Sequence, residues 1–127
     1  MRLFGKSPEK LAAQAAAQAE IDRLRALPVE DLAALLLTAL GPDGVKQGNA
    51  VHTQPLCEYL LRDTPGAGLV MTLQLTGRAT AALEALRGTG LVEAISLQRS
   101  PLWRITSLGH ATLADGTVRR RLGAGAA

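Results

Sequence analysis

Residues 85–96, ALRGTGLVEAIS, carry a helix-length pattern into Gly88-Thr89-Gly90 and then directly into Leu91-Val92. Glycine ends a helix where a positive φ is needed, and an apolar run beginning at the next residue leaves no room for a loop. The chain must therefore convert a helix into a strand at this point. Arg99-Ser100-Pro101 forms a turn, and LWRIT returns as the second strand of a hairpin. Trp103 and Ile105 share one face of that strand and are expected to pack beneath it.

The flanks agree with this hinge. From Thr76 onward, Ala79, Ala82, Leu83 and Leu86 form one apolar helical stripe. After the hairpin, Thr106 or Ser107 caps a last helix, SLGHATLAD, which Asp115-Gly116 ends before the basic stretch TVRRRLGAGAA. Upstream, Ser7 with Pro8 and Glu9 starts an alanine-rich helix poor in large apolar groups, chiefly Leu11, Ile21, Leu24 and Leu27. Pro28 breaks it. A second helix follows, with Leu32, Leu35, Leu36, Ala39 and Leu40 at helical spacing, and Gly41-Pro42 ends it. Next come a short β-like piece, AVH, and a third helix capped by Thr53 with Leu56 and Leu60 inward. Residues 69–75, LVMTLQL, alternate Leu69, Met71, Leu73 and Leu75 against polar or smaller neighbours. That period fits a short strand or a buried loop and decides neither.

Helix, short strand, helix, helix, two-stranded wing and closing helix is the order of a winged helix-turn-helix domain. The segment TGRATAALEALRGTGLVEAIS…LWRITSLGHATL resembles the MarR and PadR regulator families. The marks are Leu86, Gly90, Leu91 and Val92, then Ile105, Thr106 and Gly109. The expected fold is mainly α with a small β-wing (α+β). It comprises an N-terminal helical arm at 1–28, a winged helix domain at 29–115 and a basic, flexible tail at 116–127. One departure is residues 64–75, roughly a dozen between the two helices of the reading motif, where the common turn is about 3–4.

Charge distribution matters more than the net +3. Residues 1–65 carry seven Lys/Arg against eight Asp/Glu, whereas 66–127 carry seven Arg against Glu84, Glu93 and Asp115. A basic second half can meet phosphates or an acidic protein. Aromatics are Phe4, Tyr59 and Trp103 alone, which counts against single-stranded nucleic acid, whose bases need rings to stack on. A lone Cys57 excludes an internal disulfide and fits a reducing cytoplasm. No apolar h-region follows the first residues, and LAALLLTAL is too short to span a bilayer. The expectation is a cytoplasmic protein with no membrane association. Eleven Arg against three Lys, amid many Ala and Gly, fits a GC-rich bacterial coding sequence.

No enzyme is expected. Gly5-Lys6-Ser7 mimics the end of a phosphate-binding loop, but the earlier glycine and strand it requires would precede Met1. His52 and His110 are too few for a metal site, and no cofactor is implied. Cys57 reads as a small core side chain, although the resemblance admits a peroxide-sensing cysteine. The resemblance implies a small DNA-binding transcriptional regulator on double-stranded DNA. Arg99 and Arg104 on the wing, with Arg119, Arg120 and Arg121 behind it, would contact phosphates. Arg78 and Thr80, on the helix from Thr76, would approach bases, with Gln74 the other polar candidate. The family's terminal-helix pairing implies a homodimer through Leu11, Ile21 and Leu24. The alternative is a winged helix that binds a protein partner. Gly77 and Ala81 face outward with Glu84, and with flanking Ala85 they make a track of small residues that admits a close approach.

Overall fold

The computed structural model describes residues 8–95 and 101–126. The chain is mainly helical with one small antiparallel sheet, as the patterning predicts. α1 (Pro8–Ala26) leads into α2 (Val29–Leu40), β1 (Val51–His52) and α3 (Thr53–Leu60). α4 (Leu69–Thr72), a 3₁₀ turn (Leu73–Leu75) and α5 (Thr76–Gly88) follow. β2 (Val92–Ile95), β3 (Leu102–Ile105), α6 (Ser107–Asp115) and α7 (Val118–Ala126) complete the chain.

α2 is the central helix, because its apolar residues run almost all round it. Leu32, Ala33, Leu36, Leu37, Ala39 and Leu40 are buried, and α3, α5 and α7 pack against them. Leu35, expected inside, is partly exposed instead. α3 contributes Leu56 and Cys57, with Leu60 only half-buried. His52 rather than Thr53 precedes that helix, since the Thr53 hydroxyl is engaged elsewhere: it accepts the Trp103 indole N–H at 2.9 Å. The sheet has the order β1-β3-β2, with Val51 opposite Trp103 and Val92 opposite Ile105. Trp103 and Ile105 are buried on the face turned to the helices.

The hinge is built as its sequence requires. Gly90 sits at φ +79°, in the left-handed region, and Leu91 N–H returns to the Leu86 carbonyl at 3.0 Å. α6 is capped by Thr106, whose Oγ1 accepts the Gly109 N–H at 3.0 Å and donates to the Gly90 carbonyl at 2.6 Å. Gly109 then lies against Leu91: a Cβ there would stand 2.2 Å from the Leu91 carbonyl oxygen. This close approach locks α6 onto the foot of the hairpin.

Three expectations change. Residues 69–75, which the alternation left open between a strand and a buried loop, are helical: Thr72, Leu73, Leu75 and Thr76 all hold αR dihedrals, so the chain runs on as one helical segment over 69–88, tightened to a 3₁₀ turn at Leu73–Leu75. Its buried positions, Thr72, Leu75, Ala79, Ala82 and Leu86, keep helical spacing. Thr72 is buried with its hydroxyl donating to the Gly68 carbonyl at 2.8 Å. The connection after α3 therefore contracts to residues 61–68. The expected flexible tail is also replaced by α7, because Val118 and Leu122 stand one turn apart and bury into the core cluster. Finally, Ile21 and Leu24 are buried with Ala17 within the chain's own fold, which leaves them unable to meet a second subunit. Leu11 alone of that trio is exposed.

Candidate interaction surface

The helical segment 69–88 turns its buried stripe toward α2 and α3, so the opposite side faces solvent. At 100° per residue, Val70, Gly77, Ala81, Glu84 and Gly88 fall along the middle of that outer side. Leu73, Gln74, Thr80 and Ala85 flank it. Leu69 is 62% exposed, Val70 80% and Leu73 50%, so three large apolar side chains stand in solvent at one end. Scattered exposed leucines are ordinary, but a cluster on one helix turn is a candidate contact surface. A cleft of about 430 Å³ opens beside them between α3 and α4, lined by Glu58, Leu61, Arg62, Ala67, Leu69 and Thr72.

Charge is scarce on this face. Glu84 and Arg87 pair with each other at 2.5 Å. Gln74 exchanges side-chain hydrogen bonds with Gln18 of α1, at 2.9 and 3.1 Å. Arg78 turns away: its Nη2 donates to the Leu27 carbonyl at 2.6 Å, and its buried Nε has no partner among the described residues. The arginine expected to approach bases thus fastens α5 to the junction of α1 and α2. Thr80 is exposed on the flank.

The remaining basic residues are spread over separate elements. Arg99 lies outside the described residues. Arg104 pairs across the hairpin with Glu93, its Nε at 2.6 Å. Arg119 reaches Asp31 at the start of α2, at 2.5 Å. Arg120 and Arg121 are exposed on α7 near Asp115. A hydrogen bond from the Thr117 hydroxyl, helped by these two arginines, holds the Asp115 carboxyl below its usual range. The pairs at Arg104 and Arg119 are exposed, so each is worth at most about 1 kcal/mol.

Cys57 and the two histidines stand apart from this face. Burial, with Glu58 adding to it, pushes the Cys57 thiol up to about 11, which disfavours the thiolate that a peroxide sensor needs. His52 contacts the Pro101 carbonyl through Nδ1 at 3.2 Å, and His110 is exposed. No group of three or more His, Cys, Asp or Glu that could hold a metal exists among the described residues. No helix among them is long and apolar enough to cross a membrane.

No family model, curated protein or solved structure matches the chain. The sequence had marked Gly77, Ala81 and Ala85 as an open track. It missed Leu69, Val70 and Leu73 because their alternation imitates a strand, in which Leu69 and Leu73 would share a face opposite Val70. The available signal was Thr72 with Leu75 and Ala79, an apolar-compatible stripe at helical spacing.

Proposed function

We propose that this chain is a winged helix that works as a protein-interaction module, docking a partner on the outer face of residues 69–88. The winged helix reading is supported by the element order and by β1 adding to a hairpin that follows the long helical segment. The observation that carries the function is the exposed, uncharged cluster of Leu69, Val70 and Leu73 at the helix end that a DNA reader would fill with donors. A face this poor in donors is a weak reader of bases: Gln74 and Arg78 are both engaged within the chain, which leaves Thr80 on the flank.

DNA binding stands as the second reading, favoured by Arg120 and Arg121, which are exposed on α7 with no carboxylate in ion-pair contact among the described residues. One pair of measurements separates the two. A photo-crosslinking residue at Val70 should yield protein adducts that a label at Ala114, exposed on α6, does not, and Ala81→Arg should abolish them. Duplex binding at low salt should be undetectable. Measurable duplex affinity that falls when Arg120 and Arg121 become Ala, with no Val70 adduct, would overturn the proposal in favour of DNA.

A further inference from the structure

We infer that the occupant of this face is a second copy of the chain, its 69–88 segment packed antiparallel across a two-fold axis. The inference rests on the protein-interaction reading above. Its basis is the order of side chains along the face. The first third is bulky (Leu69, Val70, Leu73), and the rest is small (Gly77, Ala81, Ala85, Gly88). An antiparallel copy reverses that order. With the axis level with Ala79, Val70 of one copy lies level with Gly88 of the other, Leu73 with Ala85, and Gly77 with Ala81. Bulk then meets small residues at both ends, and small residues meet at the centre where the two backbones can come close, with Gln74 level with Glu84; such a self-complementary order suits a closed two-fold interface. The two glycine hollows are not used within the chain: a Cβ on Gly77 or on Gly88 would meet nothing within 4 Å, whereas Ala85 is half-buried against the core. Glycine inside a helix costs about 1 kcal/mol relative to alanine, so Gly77 weakens its own helix without relieving any clash.

Charge is compatible with the same occupant. The face carries one carboxylate, Glu84, already paired with Arg87. In the antiparallel arrangement the two copies of Glu84 stand about 15 Å apart along the axis, beyond the Debye length of roughly 8 Å in physiological salt. No like charges confront each other. A strongly acidic or basic partner would instead leave its charges desolvated against leucine and valine.

Area sets the strength. A segment of this length is about 30 Å long, and one helical face buries less than the roughly 800 Å² per partner of stable complexes. The dimer is therefore weak and dependent on concentration. Sedimentation velocity of the full chain should show monomer passing to dimer as concentration rises. Val70→Asp, at a side chain already in solvent, should weaken association at least tenfold. Gly77→Gln should do the same while raising the melting temperature of the monomer, so a loss of fold cannot explain the result. A benzophenone at Val70 in the purified chain should join residues 84–89 of another copy. A monomer at all concentrations, or a dimer indifferent to both substitutions, would overturn the inference. If position 70 then still crosslinks another protein in cells, the interaction reading stands with a different partner; if it crosslinks nothing, both fail.

Discussion

Two substitutions identical in chemistry should shift stability in opposite directions. Gly109 and Gly77 both lie inside helical segments, and replacing either with Ala should gain about 1 kcal/mol of helix propensity. At Gly77 the new methyl meets nothing within 4 Å, so the gain is kept. At Gly109 it would stand 2.2 Å from the Leu91 carbonyl oxygen and 2.6 Å from Ile105 Cγ1. The carbonyl is backbone, so α6 must retreat by roughly 1 Å, which a close-packed interior resists. Overpacking of this kind costs about 1–3 kcal/mol. The retreat also strains the Thr106 N–H bond to Leu91 O (3.1 Å) and the Thr106 hydroxyl bond to Gly90 O (2.6 Å), each worth about 1 kcal/mol. After the propensity gain, Gly109→Ala should destabilise by about 2–4 kcal/mol, a fall of roughly 8–15 °C in melting temperature for a domain of this size. Urea unfolding followed by Trp103 fluorescence, at dilution where the chain is monomeric, measures both variants. Trp103 is buried at the junction being disturbed, so its signal reports the relevant packing. If Gly109→Ala melts at or above the wild type, the close approach of α6 to the hinge is wrong.

Gly90→Val should cost more than about 1 kcal/mol, because a β-branched residue resists φ +79°; an unchanged melting temperature would remove the hinge from the argument. Leu122→Ala should destabilise by about 2 kcal/mol if α7 packs on the core, and a neutral result would return residues 118–126 to the status of a free tail. Cys57 gives a pH test: its folded thiol titrates at about 11 against an ordinary 9.0, so the folded state holds the proton longer than the unfolded one. Its contribution should be complete below pH 9 and lost between pH 9 and 11, and Cys57→Ala should lack that part of the decline in unfolding free energy.

Legibility in the sequence followed the strength of the local signals. The hinge was readable because Gly90 permits the positive φ that ends the helix and Leu91 starts the apolar run at once, whereas Gly88, expected to share that role, is the last residue of α5 and holds no positive φ. Trp103 and Ile105 were readable because strand period fixes which residues share a face. Residues 69–75 were not. Their two-residue alternation is overridden by packing that buries Thr72, a residue whose hydroxyl is satisfied by Gly68, and such satisfaction depends on the folded backbone. α7 was obscured because three consecutive arginines drew the reading to charge, although Val118 and Leu122 are spaced to share a face. Ile21 and Leu24 were recognised as apolar positions that must be covered, but periodicity cannot say whether the cover comes from the same chain. The basic set was found residue by residue, yet its pairing with Glu93 and Asp31 joins positions far apart in sequence.

Those ion pairs do not themselves decide against DNA. An exposed pair is worth at most about 1 kcal/mol, so phosphate could compete for Arg104 or Arg119 at low salt. The decisive quantity is discrimination between bases, about 1–3 kcal/mol for each good bidentate contact. Such contacts need donors and acceptors along the outer side of the helix, where this chain has Val70, Leu73, Gly77 and Ala81, with Gln74 bonded to Gln18, Glu84 paired with Arg87, and Thr80 on the flank. Release of every arginine from its carboxylate would therefore add affinity for any duplex equally and for none in particular. Apolar burial works the other way: fully covering a Leu or Val side chain contributes about 1.5–3 kcal/mol. Leu69, Val70 and Leu73 together thus offer a protein partner more free energy than the freed arginines offer a chosen DNA sequence. That difference is what favours the protein-interaction proposal over DNA.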